Sequence, residues 1–155
     1  MPVWPVASTH SIFVGGLPHI EEFEAASEIY PGDLVEFNNA DALDKTIKAG
    51  TNDSVAIIGV ADISVDNIAL RGGKRASAYA AGDVVKVIKG TINVMLRLAG
   101  VQDIARGEML GPAASGEVKA YECVTDNPCQ LIAQSLEDVV TYTAAGWVLV
   151  ELKIP

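Results

Sequence analysis

Apolar and polar residues alternate with a period of two along much of the chain, which is the pattern of half-buried β-strands. The alternation is plainest between Ile92 and Leu98. Along 147–154 both faces are largely apolar, which suits a strand buried on one side and packed against a second surface on the other. Short strands are predicted at 34–37, 55–60, 76–79, 84–88, 92–98, 118–124, 131–136 and 147–154.

Turn-forming residues separate these runs at short intervals, and Gly90 is among them. Three of the turns share a pattern: 31–37 (PGDLVEF), 81–87 (AGDVVKV) and the weaker copy 106–110 (RGEML). Glycine permits a positive-φ turn, and the acidic side chain after it can accept hydrogen bonds from nearby backbone amides. The pattern therefore predicts the starts of strands and not an active site. Short strands at this spacing predict an all-β sandwich or barrel with little helix.

The first twenty residues have a different composition from the rest of the chain. Prolines at positions 2, 5 and 18 and glycines at 15 and 16 exclude a regular helix, although apolar residues are frequent between them. We predict an extended N-terminal arm at 1–20 and a β domain at 21–155. The alternative is that the first residues supply a strand of the same domain. The acidic stretch 20–30 is compatible with a short helix or an edge strand.

Length and charge limit the classes of partner. A chain of 155 residues suggests one domain, or one domain with an arm. Its 20 acidic and 11 basic residues give a net charge of −9, which disfavours nucleic acid and anionic membranes as partners. The sequence contains no transmembrane run and no signal peptide, so we expect synthesis in a host cytoplasm.

The residue types needed for catalysis are poorly represented. Both histidines, His10 and His19, lie in the predicted arm, so the predicted body cannot assemble a Ser–His–acid or Cys–His set. Glycine-rich loops lack phosphate-binding spacing, and no metal-ligand cluster is apparent. We therefore predict no enzymatic activity, no cofactor and no metal. Cys123 and Cys129 flank a turn where a disulfide is sterically allowed, but free, partly buried thiols are the preferred interpretation.

The order of turns and strands in 31–35, 57–61, 81–87, 107–108, 116–118 and 146–150 resembles the capsid decoration, or cement, proteins of tailed viruses. The resemblance implies a small β-barrel of the β-tulip type that forms a homotrimer on the outer capsid surface of the virion. It also implies that the protein binds the major capsid protein and stabilises contacts between capsid subunits. The arm residues that would contact the capsid are Pro2, Val3, Trp4, Pro5, Val6, Ile12 and Phe13.

Three other functions remain open at this point. A surface adhesion or carbohydrate-binding β-module would need exposed aromatic side chains on one face. A tail-associated structural subunit would form rings or tubes in place of trimers. A small enzyme of another class would need a pocket with convergent carboxylates.

Overall fold

The computed structural model describes residues 12–40, 46–62, 78–123, 125–140 and 146–154. Regular structure in these residues consists of strands and two short 3-10 turns, Ala114–Gly116 and Pro128–Gln130. The predicted all-β class with a small barrel is therefore confirmed. The strands are β1 (Phe13–Gly15), β2 (His19–Ala25), β3 (Leu34–Phe37), β4 (Thr46–Ala49), β5 (Ile57–Ala61), β6 (Val84–Arg97), β7 (Asp103–Ile104), β8 (Met109–Pro112), β9 (Val118–Ala120), β10 (Ala133–Ser135), β11 (Val139–Val140) and β12 (Trp147–Ile154).

Five strands form a closed barrel in the order β2, β4, β3, β5 and the first half of β6, and β2 pairs with β6 to close it. All of these pairings are antiparallel except that of β2 with β4. Phe23 and Phe37 meet edge to face with ring centroids 5.4 Å apart. The buried residues of this core are Ala25, Ile29, Val35, Ile47, Ala61, Tyr79, Val85 and Val87.

One long strand connects the closed barrel to a second sheet. The sequence predicted two strands separated by a turn at Gly90, and this prediction is wrong. Gly90 has φ +117° but stays within β6, where it pairs with Ile154 of β12. Glycine can take this φ without the steric penalty of a side chain, so the strand passes through Gly90 with its pairing to β12 intact.

The second sheet runs in the order β6, β12, β10, β8, β9. It curls until Leu98, just after β6, forms a parallel bridge to Val118, and the Ala99 amide donates to the Val118 carbonyl at 2.9 Å. Its core also includes residues from the outer side of the barrel, such as Leu34 and Val60. In β12 the even-numbered residues are buried and Trp147, Leu149 and Glu151 are half-buried. This arrangement matches the two packed faces predicted for that strand.

The three repeated turns have the same backbone geometry. Their glycines have φ of 89°, 91° and 88°, as expected at the third position of a type II turn. In each turn the backbone amide of the acidic residue donates a hydrogen bond to the carbonyl of the residue three positions earlier, at 3.0 Å. The side chain of the acidic residue accepts a hydrogen bond from the backbone amide of that same earlier residue, at 2.8–2.9 Å. Strands β3, β6 and β8 begin directly after these turns. The predicted role as strand starts is confirmed for Asp33, Asp83 and Glu108.

Candidate interaction surface

The structure describes only part of the predicted arm. Pro2, Val3, Trp4, Pro5 and Val6 lie outside the described residues. Ile12 is 2% exposed and belongs to the core of the second sheet. Its carbonyl accepts a hydrogen bond from the Met95 amide at 2.9 Å. Phe13 is half-buried against the same core and pairs with Val94. Both residues pack against their own domain, which agrees with the alternative of a first strand; their predicted contact with a capsid protein stays a prediction.

The two cysteines lie on the surface near the β9–β10 connection. Cys123 and Cys129 are both free thiols and both are exposed, not partly buried as predicted. Cys129 lies in the 3-10 turn Pro128–Gln130. The Asn127 side chain caps this turn by accepting a hydrogen bond from the Cys129 amide at 2.9 Å. No cluster of three or more metal-ligating side chains occurs within the described ranges. In the same residues, no helix has the length and apolar character needed to cross a membrane.

Within the part of the chain that the structure describes, residues 13–23 pair with β6 on one side and have no strand on the other. β1 and β2 follow each other along one side of β6, with Phe13 opposite Val94 and residues 19–24 opposite 89–84. β2 reaches β4 only through Glu24 and Ala25. Among the described residues, the other side of β1 and of residues 19–23 therefore has no strand partner. We call residues 13–23 the open edge.

Exposed apolar side chains are concentrated on the open edge. Leu17 is 93% exposed, and Val14 and Ile20 are each about half exposed. These three are close in sequence, whereas the other large exposed apolar residues of the described chain are spread over four different segments. An exposed strand edge with apolar side chains is a template on which a strand of another chain can pair. This edge is therefore the best candidate interaction surface of the described structure.

The C-terminal half of the open edge is acidic. His19 Nε2 lies 3.0 Å and Lys89 Nζ 3.2 Å from the same Glu21 carboxylate oxygen. The hydrogen bond from His19, and to a smaller extent that from Lys89, hold the pKa of Glu21 below its usual value. Glu22 of this edge is exposed, as is Glu24 just beyond it, which pairs with Thr46 of β4; neither makes an ion pair with another described residue. The edge thus changes along its length from apolar to negatively charged.

A buried ion-pair cluster joins the barrel to the second sheet. Asp33, buried at the start of β3, accepts from Arg97 at 2.8 Å, and Arg97 also donates to the Ser115 carbonyl at 3.0 Å. The Arg97 Nε lies 3.4 Å from a Glu117 oxygen. The Arg97 guanidinium also stacks 5.8 Å from the centre of the Tyr30 ring. Arg97 thus pairs with two carboxylates from different parts of the chain, so the cluster is suited to holding the two sheets together.

A second buried carboxylate lies inside the barrel wall. Glu36 accepts from the Thr51 amide at 3.3 Å and from the Thr51 hydroxyl at 3.2 Å, and Lys48 lies 3.4 Å away. Burial alone would raise the pKa of Glu36. Hydrogen bonds from Ser54 and Thr51, together with the Lys48 charge, outweigh burial and lower the pKa below its ordinary value. Glu36 is thus held as a charged structural group.

Comparison with solved structures shows a likeness of fold. No family model matches the sequence, and no curated protein matches it. Among solved structures, the chain is similar to the head fiber gp8.5 N base in bacteriophage phi29, with a TM-score of 0.55 and 15% identity. The likeness covers 88% of this chain and 95% of that one. At this identity it shows a shared fold. The likeness does not bear on the narrower resemblance to β-tulip decoration proteins, which stays a prediction.

The open edge was only partly visible in the sequence. The acidic stretch 20–30 was compatible with an edge strand, and the structure shows that alternative for β2. Leu17 was not singled out. Its position next to Pro18 was the available signal, because proline within sheets is confined to edges and strand ends.

Proposed function

We propose that this chain is a non-enzymatic structural protein of a tailed-phage virion and that it sits on the outer surface of the head. The observation that carries this proposal is the shared fold with a head fiber base of bacteriophage phi29, which extends over nearly the whole of both chains. The exposed apolar side chains at Val14, Leu17 and Ile20 are compatible with a binding role.

The partner in this proposal is the major capsid protein. Residues 1–11 precede the buried anchor Ile12, and they include the apolar positions Pro2, Val3, Trp4, Pro5 and Val6. Fully extended, they would span at most about 40 Å, which is enough to cross onto a neighbouring subunit. An extended apolar segment can add to a sheet edge of its partner through main-chain hydrogen bonds.

A homotrimer would increase the strength of this attachment. After the first arm binds, the other two bind in an effectively intramolecular step, so weak single contacts give a long-lived complex. We propose that the trimer sits where capsid subunits meet and stabilises their contacts. A tail-associated subunit is the neighbouring alternative, and it would form rings or tubes instead.

Co-sedimentation with undecorated heads tests the proposal. Purified full-length protein is mixed with heads assembled from the major capsid protein encoded beside it, and bound protein is measured against concentration. We expect saturable binding, and a variant lacking residues 1–11 should stay folded and bind far less. Light scattering on the free protein measures its oligomeric state. Absence of binding by folded protein to intact heads would contradict a role on the capsid.

A further inference from the structure

We propose that Cys123 and Cys129 form an oxidisable pair, in which a small-molecule disulfide converts the two thiols into a disulfide bond that closes the loop between β9 and β10. Both cysteines are exposed free thiols in the structure, which therefore shows the reduced form of the pair. The proposal adds a modification site to the proposed function, and the chemistry of this site does not depend on that function.

The loop between β9 and β10 begins and ends beside the same strand. The Tyr121 amide donates a hydrogen bond to a carbonyl on one side of β8 at 2.8 Å, and the Ile132 amide donates to the next carbonyl on the other side at 3.1 Å. Neighbouring strands lie about 4.8 Å apart, so the two ends of the loop are roughly 10 Å apart. Cys123 lies two residues inside one end, and Cys129 lies three residues inside the other.

The chain also folds back between the two cysteines. The Asp126 amide donates a hydrogen bond to the Glu122 carbonyl at 2.7 Å, and the Asp126 side chain accepts one from the Glu122 amide at 2.9 Å. The Cys129 amide donates to the Asn127 side chain at 2.9 Å. The two thiols therefore lie on opposite sides of one reversal of the chain, in a single short loop.

Closing the bond requires movement only within this loop. A disulfide needs Cα atoms about 4.4–6.8 Å apart. The described residues on both sides of the reversal, including both cysteines, are exposed, and neither cysteine belongs to a hydrophobic core. The hydrogen bonds between Glu122 and Asp126 are at the surface, where water replaces them at little cost. The loop can therefore adjust without opening either core.

The reaction is two successive thiol–disulfide exchanges. The thiolate of one cysteine attacks a sulfur of the small-molecule disulfide RSSR, whose S–S bond breaks, so that RS⁻ leaves and a mixed disulfide forms on the protein. The thiolate of the other cysteine then attacks the protein sulfur of the mixed disulfide and displaces the second RS⁻. The two protein thiols are oxidised, RSSR is reduced to two RSH, and the released thiolates take up the two thiol protons.

The environment of the protein decides when the bond forms. Disulfides form and persist in oxidising environments and are rare in the cytosol. A virion protein, as proposed above, is made in the cytosol and leaves it at release. The pair would stay reduced during assembly and oxidise afterwards. This timing rests on the proposed function, whereas the formation of the bond does not.

Thiol counting on the full-length protein tests the proposal. The folded protein is incubated with glutathione disulfide, the remaining thiols are alkylated with iodoacetamide, and the masses of the intact chain and of its proteolytic peptides are measured. We expect a loss of two hydrogen atoms per chain, no alkylated cysteine, and a link between Cys123 and Cys129. Dithiothreitol should make both thiols available again. Since no heads are used, failure here is distinguishable from failure of the proposed function.

Two matched variants separate the steps of the reaction. Cys123→Ser and Cys129→Ser each keep one thiol, so each should stop at the mixed disulfide and retain one glutathione per chain. The unmodified protein should release glutathione from the mixed disulfide and retain none.

A comparison of folded and unfolded protein tests the contribution of the loop structure. In buffers of reduced and oxidised glutathione, the folded chain should form the bond about tenfold more favourably than the chain unfolded in urea, because the loop raises the effective concentration of one thiol near the other.

Three outcomes would overturn the proposal. The first is a folded protein that keeps two alkylatable thiols or retains two glutathiones without a linked peptide. The second is a disulfide-linked dimer on a non-reducing gel, which would mean that the exposed thiols join two chains. The third is equal formation of the bond in folded and unfolded protein, which would mean that the loop does not hold the thiols near each other.

Discussion

The closed barrel and the second sheet share β6, yet their outermost strands find partners in different ways. The barrel closes through the pairing of β2 with β6, and the second sheet comes back on itself through a single bridge between Leu98 and Val118. The open edge lies where β1 and β2 follow β6 from one region to the other. Two curled sheets can therefore share one strand, and among the described residues the strands beside it, β1 and most of β2, are paired on one side only.

The repeated turns show the same contrast at the level of single residues. Asp33 and Asp83 hold the same turn by the same two hydrogen bonds. Asp83 is exposed, whereas Asp33 is buried between the two regions and binds Arg97. Identical local chemistry therefore has a local role in one copy and joins the two sheets in the other.

Removing Asp33 should have the largest effect on the connection between the two sheets. Asp33→Ala leaves Arg97 without its closest carboxylate in a largely buried site, which costs about 3–5 kcal/mol. The matched variant Asp83→Ala loses only an exposed turn hydrogen bond, worth about 1 kcal/mol. Urea unfolding of both variants gives the difference. Equal losses would mean that the Asp33–Arg97 pair does not join the two regions energetically.

Alanine substitutions at two of the turn glycines should distinguish the cost of backbone strain from the cost of a steric clash. Both Gly32→Ala and Gly82→Ala place a side chain at positive φ, which costs about 1–2 kcal/mol. A Cβ on Gly32 would lie 2.6 Å from the Trp147 ring, whereas one on Gly82 would meet nothing within 4 Å. Gly32→Ala should therefore cost about 1–3 kcal/mol more. If thermal unfolding shows the same loss for both, Trp147 moves aside freely.

Glu36 should give the barrel a pH-dependent contribution to its stability. Its folded pKa lies below the ordinary 4.5, so its contribution is complete above pH 4.5 and is lost as pH falls through the folded pKa. At neutral pH Glu36→Gln should lower the free energy of unfolding by about 1–2 kcal/mol. The difference from the unmodified protein should shrink below pH 4.5. Urea midpoints that stay equally far apart down to pH 3 would refute this.

Local features of the fold were predictable from the sequence, and the features that depend on tertiary structure were not. The repeated turns fixed the start of β3 at Leu34, and the alternating pattern fixed both ends of β12. Gly90 was misread because a positive-φ glycine looks the same in a turn and in a bent strand. β4 was missed because it is only four residues long and half polar.

The candidate surface was less predictable than the strands. An open edge exists only relative to the strands that do not cover it, and the sequence does not contain that pairing information. The apolar residues 12–14 were therefore all predicted to belong to one extended arm. The structure separates them, with Ile12 in the core and Val14 half exposed.

The smallest effect on stability is expected on the open edge itself. Leu17→Ser should change the free energy of unfolding by less than about 0.5 kcal/mol, because the side chain is 93% exposed and supports neither core. The same substitution at the fully buried Leu110 of the second sheet should cost more than about 3 kcal/mol. Chemical denaturation of both variants measures the contrast. If Leu17→Ser destabilises the protein by more than 1 kcal/mol, then Leu17 is covered in solution and the edge is not open. A negligible loss means that folding does not require an apolar residue at this position.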